Sequence, residues 1–228
     1  MTLRHLIPLV PCAVLSLFPC AAQDGGTVTL RFISFPKALG LKPVELLVGD
    51  KKTIKVEIPT NELSPPYKVA QQAFWSVGET VAGPDGKNVF KEFGRAKALD
   101  SSSQLILLVR KGKEYADGFD VIPVDNRGAN FGGGKFLFFN AARIDIAGEL
   151  GGEKFVIKPN QHAIIKPKAQ PGERSFQTVI WFRKDDQAKP FFSSRWPFSE
   201  DAQSLIFFYH EPGTDYLRFH TIRAFPKP

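Results

Sequence analysis

The chain has 228 residues, 43% of them hydrophobic, which is enough for one large or two ordinary cores held together by burial. Its two cysteines, Cys12 and Cys20, both lie near the start, so disulfides and thiolate metal sites are excluded beyond residue 22. The formal charge of +7 is scattered, with Lys51-Lys52, Arg110-Lys111 and Arg183-Lys184 as neighbouring pairs, which fits a solvated surface or an anionic polymer rather than nucleic acid.

In chain order, Arg4 precedes an almost wholly apolar stretch, residues 6–18, and Cys20-Ala21-Ala22 gives a small-residue exit into polar sequence. That is the pattern of a secretory signal peptide, residues 1–22, with cleavage expected after Ala22. The apolar run, about 13 residues, is short of the roughly 20 that span a bilayer, and no later run approaches that length. A lipid anchor on Cys20 is disfavoured by Pro19 directly before it. The expected location is therefore outside the cytoplasm: periplasmic, at the cell surface or secreted.

From residue 27 a period of two takes over. Val28, Leu30 and Phe32 alternate with Thr27, Thr29 and Arg31, and Ile54, Val56 and Ile58 with Thr53, Lys55 and Glu57. Successive side chains of a strand face opposite ways, so each pattern predicts one buried and one wet face. Residues 67–77 form the one helix candidate. Residues 105–109, 136–139, 179–182 and 205–209 are continuously apolar, short, and rich in aromatic and branched side chains. They predict central strands buried on both faces. Turn signals at Gly83-Pro84-Asp85-Gly86, Gly132-Gly133-Gly134, Gly151-Gly152 and Glu211-Pro212-Gly213, with 18 prolines, argue for an all-β chain.

The chain also repeats itself. Phe93-Gly94-Arg95-Ala96-Lys97-Ala98-Leu99-Asp100 precedes Gln104-Leu105-Ile106, and one hundred residues on Ser193-Ser194-Arg195-Trp196-Pro197-Phe198-Ser199-Glu200 precedes Ser204-Leu205-Ile206. The arginine, the acid and the Leu-Ile pair keep register without a gap. Residues 49–59 correspond to 152–159, and residues 30–35 to 136–140. Three matches in the same order indicate a duplication of units near 100 residues, the usual size of a β-sandwich. The expected layout is residues 23–124 and 125–228, each a sandwich of six or seven antiparallel strands, with the junction near residues 124–131. One larger sandwich or barrel receiving strands from both halves is the rival layout. The order of strands and turns resembles the immunoglobulin-like modules found in tandem in bacterial exported proteins of unknown function. That resemblance implies architecture and an extracytoplasmic setting only. The Cys…Trp…Cys pattern of true immunoglobulin domains is absent, and no functional residue carries over.

Catalytic patterns are scarce. From Gly128 the glycine spacing begins a phosphate loop, but Gly134 stands where lysine is required, and Lys135 is followed by Phe136 rather than Ser or Thr. No Gly-x-Ser-x-Gly elbow occurs. His162, His210 and His220 lack metal-ligand spacing, although His210 and His220 could meet across a hairpin. Asp185-Asp186 and Glu200-Asp201 are the only candidates for a paired-carboxylate hydrolase. They read as turn acids, so no catalytic residue, cofactor or metal is expected. The candidate binding residues are Arg195, Trp196 and Trp75, as an aromatic patch beside a guanidinium suits a sugar or a protein partner, and residues 193–200 read as an irregular segment that would display the first two. Arg95 and Arg195, equivalent in the two units, are expected to clamp a loop by a salt bridge or a backbone contact. The predicted function is a non-enzymatic envelope module that binds a protein or an anionic polymer. The alternative is a protein that binds or acts on envelope polysaccharide.

Overall fold

The computed structural model describes residues 26–35, 43–50, 52–111, 117–168, 172–184, 187–211 and 214–225. The described residues are all-β with one short helix. The first half carries β1 (Thr27–Phe35), β2 (Val44–Leu47), β3 (Thr53–Val56), β4 (Tyr67–Ala70), β5 (Phe74–Ala82), β6 (Asn88–Lys97), β7 (Ser103–Arg110) and β8 (Phe119–Asp125). After α1 (Gly128–Phe131) come β9 (Phe136–Asn140), β10 (Ile146–Leu150), β11 (Glu153–Ile157), β12 (His162–Ile165), β13 (Ser175–Lys184), β14 (Gln187–Pro197), β15 (Gln203–His210) and β16 (Leu217–Ala224).

These strands make four sheets of four. The first half gives β4-β1-β7-β8 and β3-β2-β5-β6, and the second gives β12-β9-β15-β16 and β11-β10-β13-β14. The two halves therefore have the same pair of strand orders. Neighbours are antiparallel except β1 with β7 and β9 with β15, which run parallel. The sequence matches at 93–106 and 193–206 fall on β6–β7 and β14–β15, which hold equivalent places in those orders.

Side-chain alternation sorts the apolar residues into three cores. Val28, Leu30, Phe32, Ile106 and Leu108 join Leu46, Trp75 and Val77 between the two sheets of the first half. Phe136, Phe138, Ile206 and Phe208 join Ile146, Phe155 and Ile180 between the two sheets of the second. The opposite faces of the same strands meet each other: Ile33, Phe35, Leu105 and Leu107 pack with Leu137, Phe139, Leu205 and Phe207. Phe35 and Phe207 stack at 4.8 Å. The result is a stack of four sheets. The β4-β1-β7-β8 and β12-β9-β15-β16 layers lie inside, covered on both faces.

This accounts for the continuous apolar runs of β7, β9 and β15, where odd and even positions feed different cores. The run at 179–182 behaves differently. On β13, Ile180 and Phe182 contact the second-half core, while Val179 and Trp181 lie half-buried on the other face of an outer sheet. Three more expectations are corrected. Residues 67–77 form no helix: they hold β4 and the start of β5, because Val69, Trp75 and Val77 alternate into the core. Among the described residues each half has eight strands rather than six or seven. The irregular segment expected at 193–200 is strand as far as Pro197, paired along β13.

The link between the halves is tightly held. Asp125, at the end of β8, accepts hydrogen bonds from the Arg127 backbone (3.0 Å), Arg127 Nε (3.0 Å) and Ser101 Oγ (2.8 Å). Asn130 Nδ2 also donates to it. These donors, Arg127 first, hold its carboxyl well below the usual carboxylate range. The glycine run then lies under the turn before β15. A Cβ on Gly133 would come within 1.8 Å of the Glu200 carbonyl oxygen, so only glycine fits.

Candidate functional site

The residues singled out in the sequence are placed apart. Trp75 lies on β5 with no exposed surface, and its Nε1 donates to Gln104 Oε1 at 2.8 Å. Trp196 is half-buried on β14, packed against Phe136, Phe138, Phe192 and Phe219 with ring centroids 5.7–6.3 Å away. Arg195 is exposed beside it and donates through Nη2 to the Ser175 carbonyl at 2.8 Å, a backbone clamp on the neighbouring strand. Arg95, its equivalent, lies 4.1 Å over the ring of Phe74 instead. Trp75 and Trp196 belong to the two outer layers and form no common surface.

The polar candidates are likewise dispersed. Glu200 and Asp201 are exposed in the turn before β15, and Asp185 and Asp186 fall outside the described residues. His210 and His220 do sit on paired strands, but His210 stands opposite Leu217 and His220 opposite Phe207. His162 is on β12. Among the described residues no group of three or more His, Cys, Asp or Glu could hold a metal. None of their helices is long and apolar enough to cross a membrane.

A site emerges elsewhere, at the end of the stack where the two halves meet. Parallel pairing brings the C-terminal ends of β1 and β7 side by side, and the middle core sets the end of β15 against them. The ends of these strands surround a groove of ≈ 1570 Å³. The first half contributes Phe35, Val109, Arg110, Lys111 and Asp120. The second contributes Arg143, Asn160, Phe182, Lys189, Tyr209, His210 and Tyr216, among others. A smaller cleft of ≈ 600 Å³ shares Lys111, Asp120 and Asn160 with it.

The second-half wall is built around Asn140, the last residue of β9. Its fully buried amide donates to the carbonyls of Ile144 (2.8 Å) and Ile157 (2.9 Å), and its Oδ1 accepts from Ala142 N (2.9 Å). Its own backbone carbonyl accepts from Asn160 N at 2.7 Å. One side chain thus fixes both the loop bearing Arg143 and the turn bearing Asn160. Asn160 has φ 60°, the one positive value at a non-glycine among the described residues, and asparagine tolerates this conformation better than most.

The charges divide into paired and unpaired. Lys111 Nζ lies 3.2 Å from Asp120, and Arg218 lies 3.0 Å from Glu211. No acid among the described residues pairs with Arg143 or Lys189. On the rim, Tyr216 is 70% exposed. Its backbone is pinned nonetheless: its carbonyl accepts from Glu211 N (2.9 Å), and its N–H donates to Thr214 Oγ1 (3.2 Å).

The sequence reading missed this groove. Its signal was the cluster of polar and aromatic residues ending three apolar strands: Phe35, Arg110-Lys111, and Tyr209-His210. Comparison of the chain with protein-family models and with curated proteins finds no match to either.

Proposed function

We propose that the chain is an exported, non-enzymatic module of the cell envelope that holds an extended anionic polymer in the groove where its halves meet. In this reading the halves are tandem immunoglobulin-like sandwiches derived by duplication. Support for the duplication is the shared pair of strand orders, together with the hundred-residue register of the sequence. Export rests on the pattern of residues 1–22.

The groove is the observation that carries the binding role. At ≈ 1570 Å³ it exceeds the 300–1,000 Å³ typical of small-molecule pockets, and both halves line it. Two of its three acids, Asp120 and Glu211, are neutralised by lysine or arginine, and the third, Asp215, is exposed beside Tyr216. Cations remain on its surface, in keeping with the chain's overall +7 charge.

The test compares the mature chain, residues 23–228, with Thr214→Trp, which places an indole at an exposed position of the groove wall. Both are passed over immobilised envelope polysaccharide and over envelope protein. The wild-type chain is retained on the polysaccharide and the variant is not, while it still unfolds cooperatively at a midpoint lowered only by the loss of the two exposed hydrogen bonds of the Thr214 hydroxyl. Equal retention of both refutes the groove as the binding site. Retention on protein alone replaces the polymer by a protein partner. Release of new reducing ends from the polysaccharide identifies an enzyme instead.

A further inference from the structure

We infer that the groove selects an acidic glycan, a chain of carboxylated sugars, with Arg143 and Lys189 facing carboxylates and Tyr216 stacking on a sugar ring. This deepens the proposed binding function and rests on it.

Two independent features point to that chemistry. The first is charge. Arg143 and Lys189 line the groove, and no acid among the described residues pairs with either, whereas Lys111 and Arg218 are occupied by Asp120 and Glu211. Unpaired cations along a concave, low-dielectric wall attract anions, and a guanidinium grips a carboxylate in two places.

The second feature is the tyrosine. An aromatic side chain 70% exposed gains little from burial, yet Tyr216 is held by hydrogen bonds on both sides of its backbone. The pinned backbone sets the ring at a defined place on the rim, where it offers an apolar face with a polar tip. The C–H face of a pyranose suits it, while a bare polyanion such as polyphosphate has nothing to stack. Cations alone would fit any polyanion and an aromatic alone any sugar. Together they select a sugar that carries its own charge.

The test is calorimetric titration of the mature chain with three probes: oligogalacturonate, its methyl ester and polyphosphate. Oligogalacturonate is expected to bind, and the uncharged ester about tenfold or more weaker. Arg143→Ala and Tyr216→Ala are each expected to weaken oligogalacturonate binding by about tenfold, with unfolding midpoints unchanged because both positions are exposed. Ester binding equal to that of the acid overturns the inference and leaves the groove reading standing, provided Thr214→Trp still blocks it. Polyphosphate binding of equal strength, insensitive to Tyr216→Ala, overturns it in favour of simple charge attraction. Failure of all three probes overturns it as well. If Thr214→Trp also leaves retention on envelope polysaccharide unchanged, the proposed function falls with it.

Discussion

Replacing Phe207 by alanine tests whether the middle core joins the halves into one folding unit. Phe207 belongs to the second half, yet its ring, 1% exposed, faces the first and stacks on Phe35 at 4.8 Å with 11° between the planes. It also lies 6.3 Å from Phe139. Removing a buried phenylalanine costs about 3–5 kcal/mol, of which the lost ring pair is about 0.5–1.5. With a urea dependence near 3 kcal/mol per molar, at the upper end for small proteins, the midpoint falls by about 1–2 M. The assay is urea unfolding followed by fluorescence of variants that keep one tryptophan. Trp75 reports on the first-half core and Trp196 on the second. The expected result is that both probes move together by that amount. If Trp75 keeps its original midpoint while Trp196 shifts, the halves unfold independently and the middle core is only a contact between domains. Phe138→Ala is the matching control on the other side of the second half, since Phe138 points into the second-half core.

Further outcomes follow from single residues. Asn140→Ala strands the carbonyls of Ile144 and Ile157, and is expected to cost about 2–4 kcal/mol in urea unfolding and to abolish groove binding. Asp125→Asn is expected to destabilise the chain by about 1–2 kcal/mol at neutral pH. The folded carboxyl of Asp125 is depressed, so its contribution is complete above the unfolded value near 4 and declines as pH falls below it. The difference between Asp125→Asn and the wild type should therefore shrink under acid, and a constant difference down to pH 2 would rule out this role. Gly133→Ala, whose Cβ would meet the Glu200 carbonyl oxygen at 1.8 Å, is expected to cost more than about 2 kcal/mol. Gly128→Ala, with nothing within 4 Å, should stay within about 0.5 kcal/mol in the same thermal scan.

Much of the strand pattern was legible in the sequence for a simple reason. The inner layers are covered on both faces, so the middles of β7, β9 and β15 are apolar at successive positions. The same signal was ambiguous at β13, where Trp181 and Val179 look like core residues but lie on the outer face of an outer sheet. Residues 67–77 misled because β4 is only four residues long and Gln71-Gln72-Ala73 carries no turn signal. Trp75 misled differently. Its indole is satisfied by Gln104, a partner 29 residues away that no local pattern announces. The groove was hidden for the same reason on a larger scale. Phe35, Arg110, Arg143, Asn160 and Tyr216 come from five separate strand ends and turns. Their convergence depends on the parallel pairing and the middle core, and local periodicity encodes neither.

The parallel pairing also governs when the protein can fold. Thr29 meets Ser103 and Phe136 meets Ser204, so the first strand of each half waits for its seventh before its sheet can close. Contacts between residues so distant in sequence form late, because the chain between them must first surrender its freedom. Until then an apolar strand has only a short antiparallel neighbour, β4 or β12, each of four residues. Each half therefore stays open until its own seventh strand exists, at Arg110 for the first half and at His210 for the second.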